Sequence, residues 1–262
     1  MDLGLNGKRA LVTAASKGLG RESALALAGE GARVAVASRN VDALQDLVGE
    51  LREKGAPEAI AVSLDLTSPG DIARAVKEVG DAFGGLDVVI GNTGGPKSGP
   101  FLDITLDDWK TAADETLFAM VELSRASVPL LKAAGGGRMV FITTVGVKIV
   151  QPDMVLSDAL RLAVVGLAKS MSHELAGDNI LVNCLCPGPI ATERMDYLIE
   201  STMKQKGIGR AEAEALWYEE VPLGRAGDPE DFGAMVAVLA SDRASFVTGT
   251  AIAIDGGKSR AY

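Results

Sequence analysis

The run Thr13-Ala14-Ala15-Ser16-Lys17-Gly18-Leu19-Gly20 decides the fold. It follows the apolar stretch Arg9–Thr13 and opens directly into an amphipathic stretch from Gly18 to about Glu30. A buried strand, a glycine turn and a helix in that order form the context in which glycines serve a dinucleotide. They let the backbone approach a pyrophosphate closely, while the helix N-terminus presents free N–H groups and the positive end of its dipole. Without a ligand, the same run would be only a tight strand–helix turn.

The pattern repeats outward from this turn. Arg33–Ser38 reads as the second strand, Val41–Lys54 as a helix, Ile60–Asp65 as the third strand and about Pro69–Val79 as a helix. Pro69 suits a helix start, where its missing N–H has no helical partner. Asp87–Gly91 is the fourth strand, followed by a long helix from about Thr105 to Lys132 and a strand at Arg138–Thr143. A helix over about Ser157–Leu175, a strand at Ile180–Cys186, a helix at Asp228–Ala240 and a strand at Ala251–Asp255 complete the chain. This alternation predicts an α/β fold: one Rossmann-type, doubly wound parallel sheet with helices on both faces. Residues 1–262 read as one domain. Pro189–Val221 breaks the pattern; charged and carrying Tyr197, Trp217 and Tyr218, it is expected to form a small helical lid over the strand ends.

The bulk composition limits the partners. The formal charge of −9, without basic runs, argues against nucleic acid or an anionic membrane surface. No apolar run reaches the ~18 residues of a membrane span, and the first residues contain no signal-like apolar core. Cys184 and Cys186 lie two apart in an apolar run, too close for a bridge, and read as core thiols in a reducing compartment. Cytoplasm is the expected location. His173 is the only histidine, so neither a zinc cluster nor a His-centred catalytic group is expected. Trp109 and Trp217 stand singly, which suits packing better than base stacking.

The second strand bears on cofactor choice. A carboxylate about 20 residues past the glycines would hold the ribose 2′-OH of NAD. Here the strand ends Ala37-Ser38-Arg39-Asn40, with no acid. Arg39 and Lys17 are placed to pair with a 2′-phosphate, which points to NADP(H), with NAD(H) as the alternative.

Taken together, these stretches resemble the short-chain dehydrogenase/reductase family, from Lys8 to about Lys258, and within it most nearly the 3-oxoacyl-carrier-protein reductases. Thr13–Gly20 resembles the family's T-G-x-x-x-G-x-G turn, with Ala14 in place of the first glycine. Asp65-Leu66 matches the acidic pair at the adenine. Asn92-Thr93-Gly94-Gly95 resembles its N-N-A-G element. Pro187-Gly188-Pro189-Ile190-Ala191-Thr192 matches the P-G-x-[VI]-x-T segment at the nicotinamide end, and Asp255-Gly256-Gly257 the C-terminal signature. The resemblance implies that the cofactor touches Thr13, Ala14, Ser16–Gly20, Ser38, Arg39, Asp65, Leu66, Asn92–Gly94, Arg161, Pro187, Gly188, Ile190 and Thr192. It also implies a homo-oligomer, either dimer or tetramer.

The family's chemistry rests on Asn, Ser, Tyr and Lys. By the same alignment Thr116, Thr144, Ser157 and Arg161 occupy those positions. A serine hydroxyl is far less acidic than a phenol, whose pKa is about 10, and arginine does not act as a proton shuttle. Arg161 can still hold ribose hydroxyls or an anion, and Thr144 can still orient a carbonyl. The first tyrosine in the chain is Tyr197, so a phenolic acid would have to be Tyr197, Tyr218 or Tyr262. Lys148, Tyr197 and Trp217 are expected to edge the substrate site, and Asp153 and Asp158 to be solvated. Three readings follow. The first is an NADP(H)-dependent oxidoreductase acting on a carbonyl or imine small molecule through an altered proton relay. The second is a non-redox enzyme on the same fold, similar to a halohydrin dehalogenase. The third is a non-catalytic NADP(H)-binding protein.

Overall fold

The computed structural model describes residues 1–261; Tyr262, one of the phenols considered above, lies outside the described residues. Among the described residues, seven strands form one parallel sheet: β1 (Arg9–Thr13), β2 (Arg33–Ser38), β3 (Ala59–Ser63), β4 (Val88–Gly91), β5 (Gly137–Ile142), β6 (Ile180–Pro187) and β7 (Ala251–Ile254). Their order is β3-β2-β1-β4-β5-β6-β7. Leu11 pairs with Ala35 of β2 on one side and Val89 of β4 on the other, so the winding reverses at β1. In open α/β sheets, that switch point leaves a crevice at the carboxyl ends of the strands.

Alternating side chains divide the core into two layers. Ala10, Val12, Val34 and Val36 face α1 (Gly18–Gly29), α2 (Val41–Lys54) and α9 (Pro229–Ala240). Leu11, Ala35 and Ala37 face α3 (Pro69–Phe83), α5 (Ala119–Ala133) and α6 (Val155–Glu174). Strands buried on both faces explain the continuous apolar runs in the sequence. Helix starts are fixed locally. The Asn40 side chain accepts from Ala43 N at 3.2 Å at the head of α2, and Asp228 accepts from Glu230 N at 2.8 Å at the head of α9. Among the described residues, no helix is long and apolar enough to cross a membrane.

The expected helix from Thr105 to Lys132 is not continuous. It comprises α4 (Leu106–Ala113), a π-helical turn at Asp114–Phe118, and α5. Thr105 and Asp108 form a reciprocal capping box at its start. A π-turn admits one extra residue, shifts the side-chain phase and is often found at functional sites. The expected lid consists of α7 (Glu193–Lys206) and α8 (Arg210–Tyr218), packed on each other through Met195, Ile199 and Ala213.

Candidate functional site

A cavity of about 710 Å³ opens at the carboxyl ends of β1, β2, β4, β5 and β6, with α7 and α8 on its far side. At one end is the glycine turn. Gly18 (φ +57°) begins α1, and Lys17, at its N-cap, makes no side-chain cap hydrogen bond, so among the described residues no N-cap side chain satisfies the first-turn N–H groups. A Cβ on Gly20 would lie 2.5 Å from the Ala14 carbonyl oxygen and 2.8 Å from Asn92 Nδ2, so only glycine lets the helix sit this close to the turn. Asn92 Nδ2 donates to Ala14 O at 3.3 Å. Ala14 has φ +46°, in the left-handed region that disfavours a Cβ.

Ala14, Ser16, Lys17, Gly18 and Leu19 line the cavity; Thr13 and Gly20 do not. Thr13 is fully buried, donates to Asn92 O at 2.7 Å and accepts from Asn92 N at 2.9 Å. Both residues therefore shape the turn from behind.

Ser38, Arg39, Asp65 and Leu66 line the cavity next to β2. The Asp65 carboxylate accepts from Thr67 N (3.0 Å) and Thr67 Oγ1 (2.8 Å), bonds that hold it below the usual carboxylate range, with nearby Arg39 adding attraction. Among the described residues, nothing hydrogen-bonds or ion-pairs with the Arg39 guanidinium. Lys17 differs from expectation: its Nζ sits 2.7 Å from Glu193 Oε2, both side chains 67% exposed. It bridges the turn to α7, drawn there by a carboxylate that the sequence places 176 residues away.

At the other end lie Asn92, Thr93, Gly94, Pro187, Gly188, Ile190 and Thr192, together with Thr144, Ser157 and Arg161. Arg161 is 7% exposed. Its guanidinium donates to Ile142 O (2.8 Å), Thr93 Oγ1 (3.2 Å) and Gly94 O (3.1 Å). Burial, with Arg194 nearby, lowers its pKa to about 10, and it stays cationic at neutral pH. Thr144 Oγ1 accepts from Gly146 N (3.2 Å) and Gln151 Nε2 (3.0 Å).

Asp158 is not the solvated side chain expected. It is half-buried, accepts from Gln151 N at 3.1 Å and lies 3.4 Å from Gln151 Nε2; burial raises its pKa despite those bonds. Thr116 is 1% exposed on the π-turn, outside the cavity lining, and its Oγ1 has no hydrogen-bond partner among the described residues. Its neighbour Glu115, on the same π-turn, lines the cavity.

On the lid, Tyr197 and Trp217 line the cavity, whereas Tyr218 does not; Lys148, in the segment between β5 and α6, does not line it either, contrary to expectation. Trp217 Nε1 donates to Thr202 Oγ1 at 3.1 Å, and Lys258 Nζ lies 5.9 Å from its ring centre. Arg194 lies over the Tyr197 ring at 5.2 Å. Gln151, Glu115, Arg194 and Lys258 line the cavity as well and were not expected there. Gln151 lies in a loop and Glu115 on the π-turn, with no motif to mark them, whereas Arg194 and Lys258 stand just past the Pro187–Thr192 and Asp255–Gly257 segments, which could have pointed to them. Among the described residues, no group of three or more His, Cys, Asp or Glu side chains is placed to hold a metal ion.

A family model described as enoyl-(acyl carrier protein) reductase, of the short-chain dehydrogenases/reductases, matches residues 13–259. The chain belongs to the short-chain dehydrogenase/reductase family. Within this family it is similar to the NADPH-dependent reductase BacG of Bacillus subtilis, 31% identical over 255 residues, covering 97% of this chain and 98% of that protein. It is also 31% identical over 251 residues to the 3-oxoacyl-[acyl-carrier-protein] reductase FabG of Staphylococcus epidermidis, covering 95% and 98% of the two chains. Among solved structures of the family, L-sorbose reductase from Gluconobacter frateurii, complexed with NADPH and L-sorbose, superposes with a TM-score of 0.94 at 28% identity, with both chains fully covered.

Proposed function

We propose that this protein is an NADP(H)-dependent oxidoreductase that transfers hydride to or from a carbonyl or imine small molecule through an atypical proton relay. The observation that carries the reading is Arg39. It lines the cavity just beyond β2, has no partner among the described residues, and no carboxylate ends that strand. An NAD site needs an acceptor there, whereas a 2′-phosphate needs a donor fork. The cavity fits a dinucleotide: the glycine turn and the open head of α1 suit a pyrophosphate. The NADPH named for BacG and L-sorbose reductase supports the same choice.

In this reading Ala14 and Ser16–Leu19 hold the pyrophosphate, Ser38 and Arg39 the 2′-phosphate, and Asp65 and Leu66 the adenine. Asn92–Gly94 and Pro187–Thr192 frame the nicotinamide end. A reduced dinucleotide supplies the hydride there. Arg161 holds the wall rigid through Ile142, Thr93 and Gly94 and moves no proton. Thr144 donates its hydroxyl proton in a hydrogen bond to the substrate oxygen. Ser157, in the position of the family's tyrosine, lines the same end and is too weak an acid to replace a phenol. The proton reaching the oxygen then comes from solvent, and turnover is slowed by roughly 10²–10⁴ relative to a site with a positioned acid. Helices α7 and α8 act as the lid, with Tyr197 and Trp217 against the substrate.

The same reading places the protein in the cytoplasm as a homo-oligomer. Phe118 (54% exposed) and Leu162 (53% exposed) support assembly, which light scattering would measure. The enzymatic test is loss of nicotinamide absorbance when NADPH-loaded protein meets a panel of carbonyls and imines. Slow, substrate-dependent oxidation is expected. Tight NADPH binding without oxidation across the panel would leave a non-catalytic binding protein.

A further inference from the structure

The hydrogen-bond valences around Thr144 point to the substrate class; the inference rests on the oxidoreductase reading above. A threonine hydroxyl has one proton and two acceptor lone pairs. Thr144 Oγ1 already accepts two hydrogen bonds, from Gly146 N and Gln151 Nε2. Its proton is what remains, and Thr144 lines the cavity.

Gln151 is constrained in the complementary sense. Its amide nitrogen faces Thr144 Oγ1 at 3.0 Å and Asp158 Oδ1 at 3.4 Å. A carboxylate only accepts, so Asp158 dictates which end of the amide is nitrogen. Asp158 is itself fixed: it accepts from Gln151 N at 3.1 Å, and a Cβ on Gly146 would collide with its Oδ1. Both amide protons of Gln151 are therefore committed. Its Oε1 accepts nothing from the described residues and is not among the buried unpartnered atoms, and Gln151 lines the cavity.

A free donor proton and a free acceptor oxygen thus stand side by side, since Oε1 shares a carbon with the Nε2 that touches Thr144. A carbonyl oxygen accepts and a hydroxyl on the next carbon donates. We propose that Thr144 and Gln151 together read two neighbouring substrate oxygens, so that the substrate is an α-hydroxycarbonyl compound and the reduced product a vicinal diol. Gln151 is the specificity-determining residue, and Asp158 a positioning residue that acts through it. A substrate without the hydroxyl leaves Oε1 desolvated and unpaired, a penalty that polar sites use for discrimination.

The test compares hydroxyacetone with methoxyacetone, which keeps the carbonyl and lacks the donor, using full-length protein and NADPH. Wild-type kcat/KM is expected to favour hydroxyacetone by about tenfold or more. Gln151→Leu should bring that ratio within about threefold. Asp158→Asn should lower it chiefly by raising KM for hydroxyacetone, because the amide is then free to turn. The ratio is internal to each variant, so partial unfolding lowers both rates without changing it. Equal rates in the wild type, or an unchanged ratio in Gln151→Leu, overturns the proposal. A second arm separates it from the oxidoreductase reading: calorimetry of propylene glycol against its primary monomethyl ether on protein with NADP⁺. Diol preference without turnover keeps the proposal and sinks the redox reading. Turnover without preference does the reverse, and no preference in either arm overturns the proposal.

Discussion

The Arg161 guanidinium donates to the carbonyl oxygen of Ile142 at 2.8 Å, tying α6 to the last residue of β5. The same side chain reaches Thr93 and Gly94 beyond β4, so one buried cation braces two strand ends at the cavity floor. Arg161→Met leaves these acceptors without their donor and should cost about 2–4 kcal/mol of stability. Urea unfolding midpoints measure it. A loss below about 0.5 kcal/mol would show that the brace is incidental.

Ala14 carries a Cβ at φ +46° in a turn where glycine is unstrained. For an L-residue the left-handed region costs roughly 1–2 kcal/mol, partly offset by the greater freedom of an unfolded glycine. Ala14→Gly should therefore stabilise the protein by up to about 1 kcal/mol and leave nucleotide binding at least as tight. Thermal unfolding with and without nucleotide checks both; destabilisation would mean that the methyl group packs productively.

Arg9 clamps Asp87 across β1 and the start of β4, with Nε to Oδ2 at 2.7 Å and Nη2 to Oδ1 at 2.8 Å. Burial alone would raise the Asp87 pKa, but the hydrogen bonds and charge of Arg9 outweigh it, and the net shift is downward. A carboxylate depressed in the folded state contributes stability above its unfolded pKa of about 3.9 and loses it as pH falls through the folded value. Relative to Arg9→Met, the wild type should be more stable by about 2 kcal/mol at neutral pH, with the gap closing below about pH 4. A gap independent of pH would locate the effect in packing alone.

Ser157→Tyr combined with Arg161→Lys restores the phenol and amine of the family pattern. If the cavity is otherwise sound, kcat should rise by about 10²-fold on any carbonyl the wild type reduces slowly. An inactive but folded double variant, confirmed by NADPH binding, would place the defect elsewhere in the site.

The sheet was legible because strands buried on both faces leave apolar runs such as Val34–Ala37, and because the glycine turn needs a strand before it and a helix after it. Gly20 was legible as a glycine but not in its role, since the crowding comes from Ala14 and Asn92. The π-turn was not legible, because Asp114–Phe118 preserves helical composition; nor was it legible that Glu115 lines the cavity while Thr116 is buried on it. Asp158 read as solvated because its hydrogen-bond partner, Gln151, is brought to it by a loop with no periodicity. Lys17 was placed correctly on the turn, but its pairing with Glu193 depends on how α7 closes over the cavity.

The most direct test of the central claim is calorimetric titration of the wild-type protein and Arg39→Ala with NADPH and with NADH. NADPH should bind the wild type at least about tenfold more tightly, as expected for a charge-assisted phosphate contact, with Arg39→Ala erasing most of that difference. Equal affinities, tighter NADH binding, or no binding of either nucleotide would contradict the account.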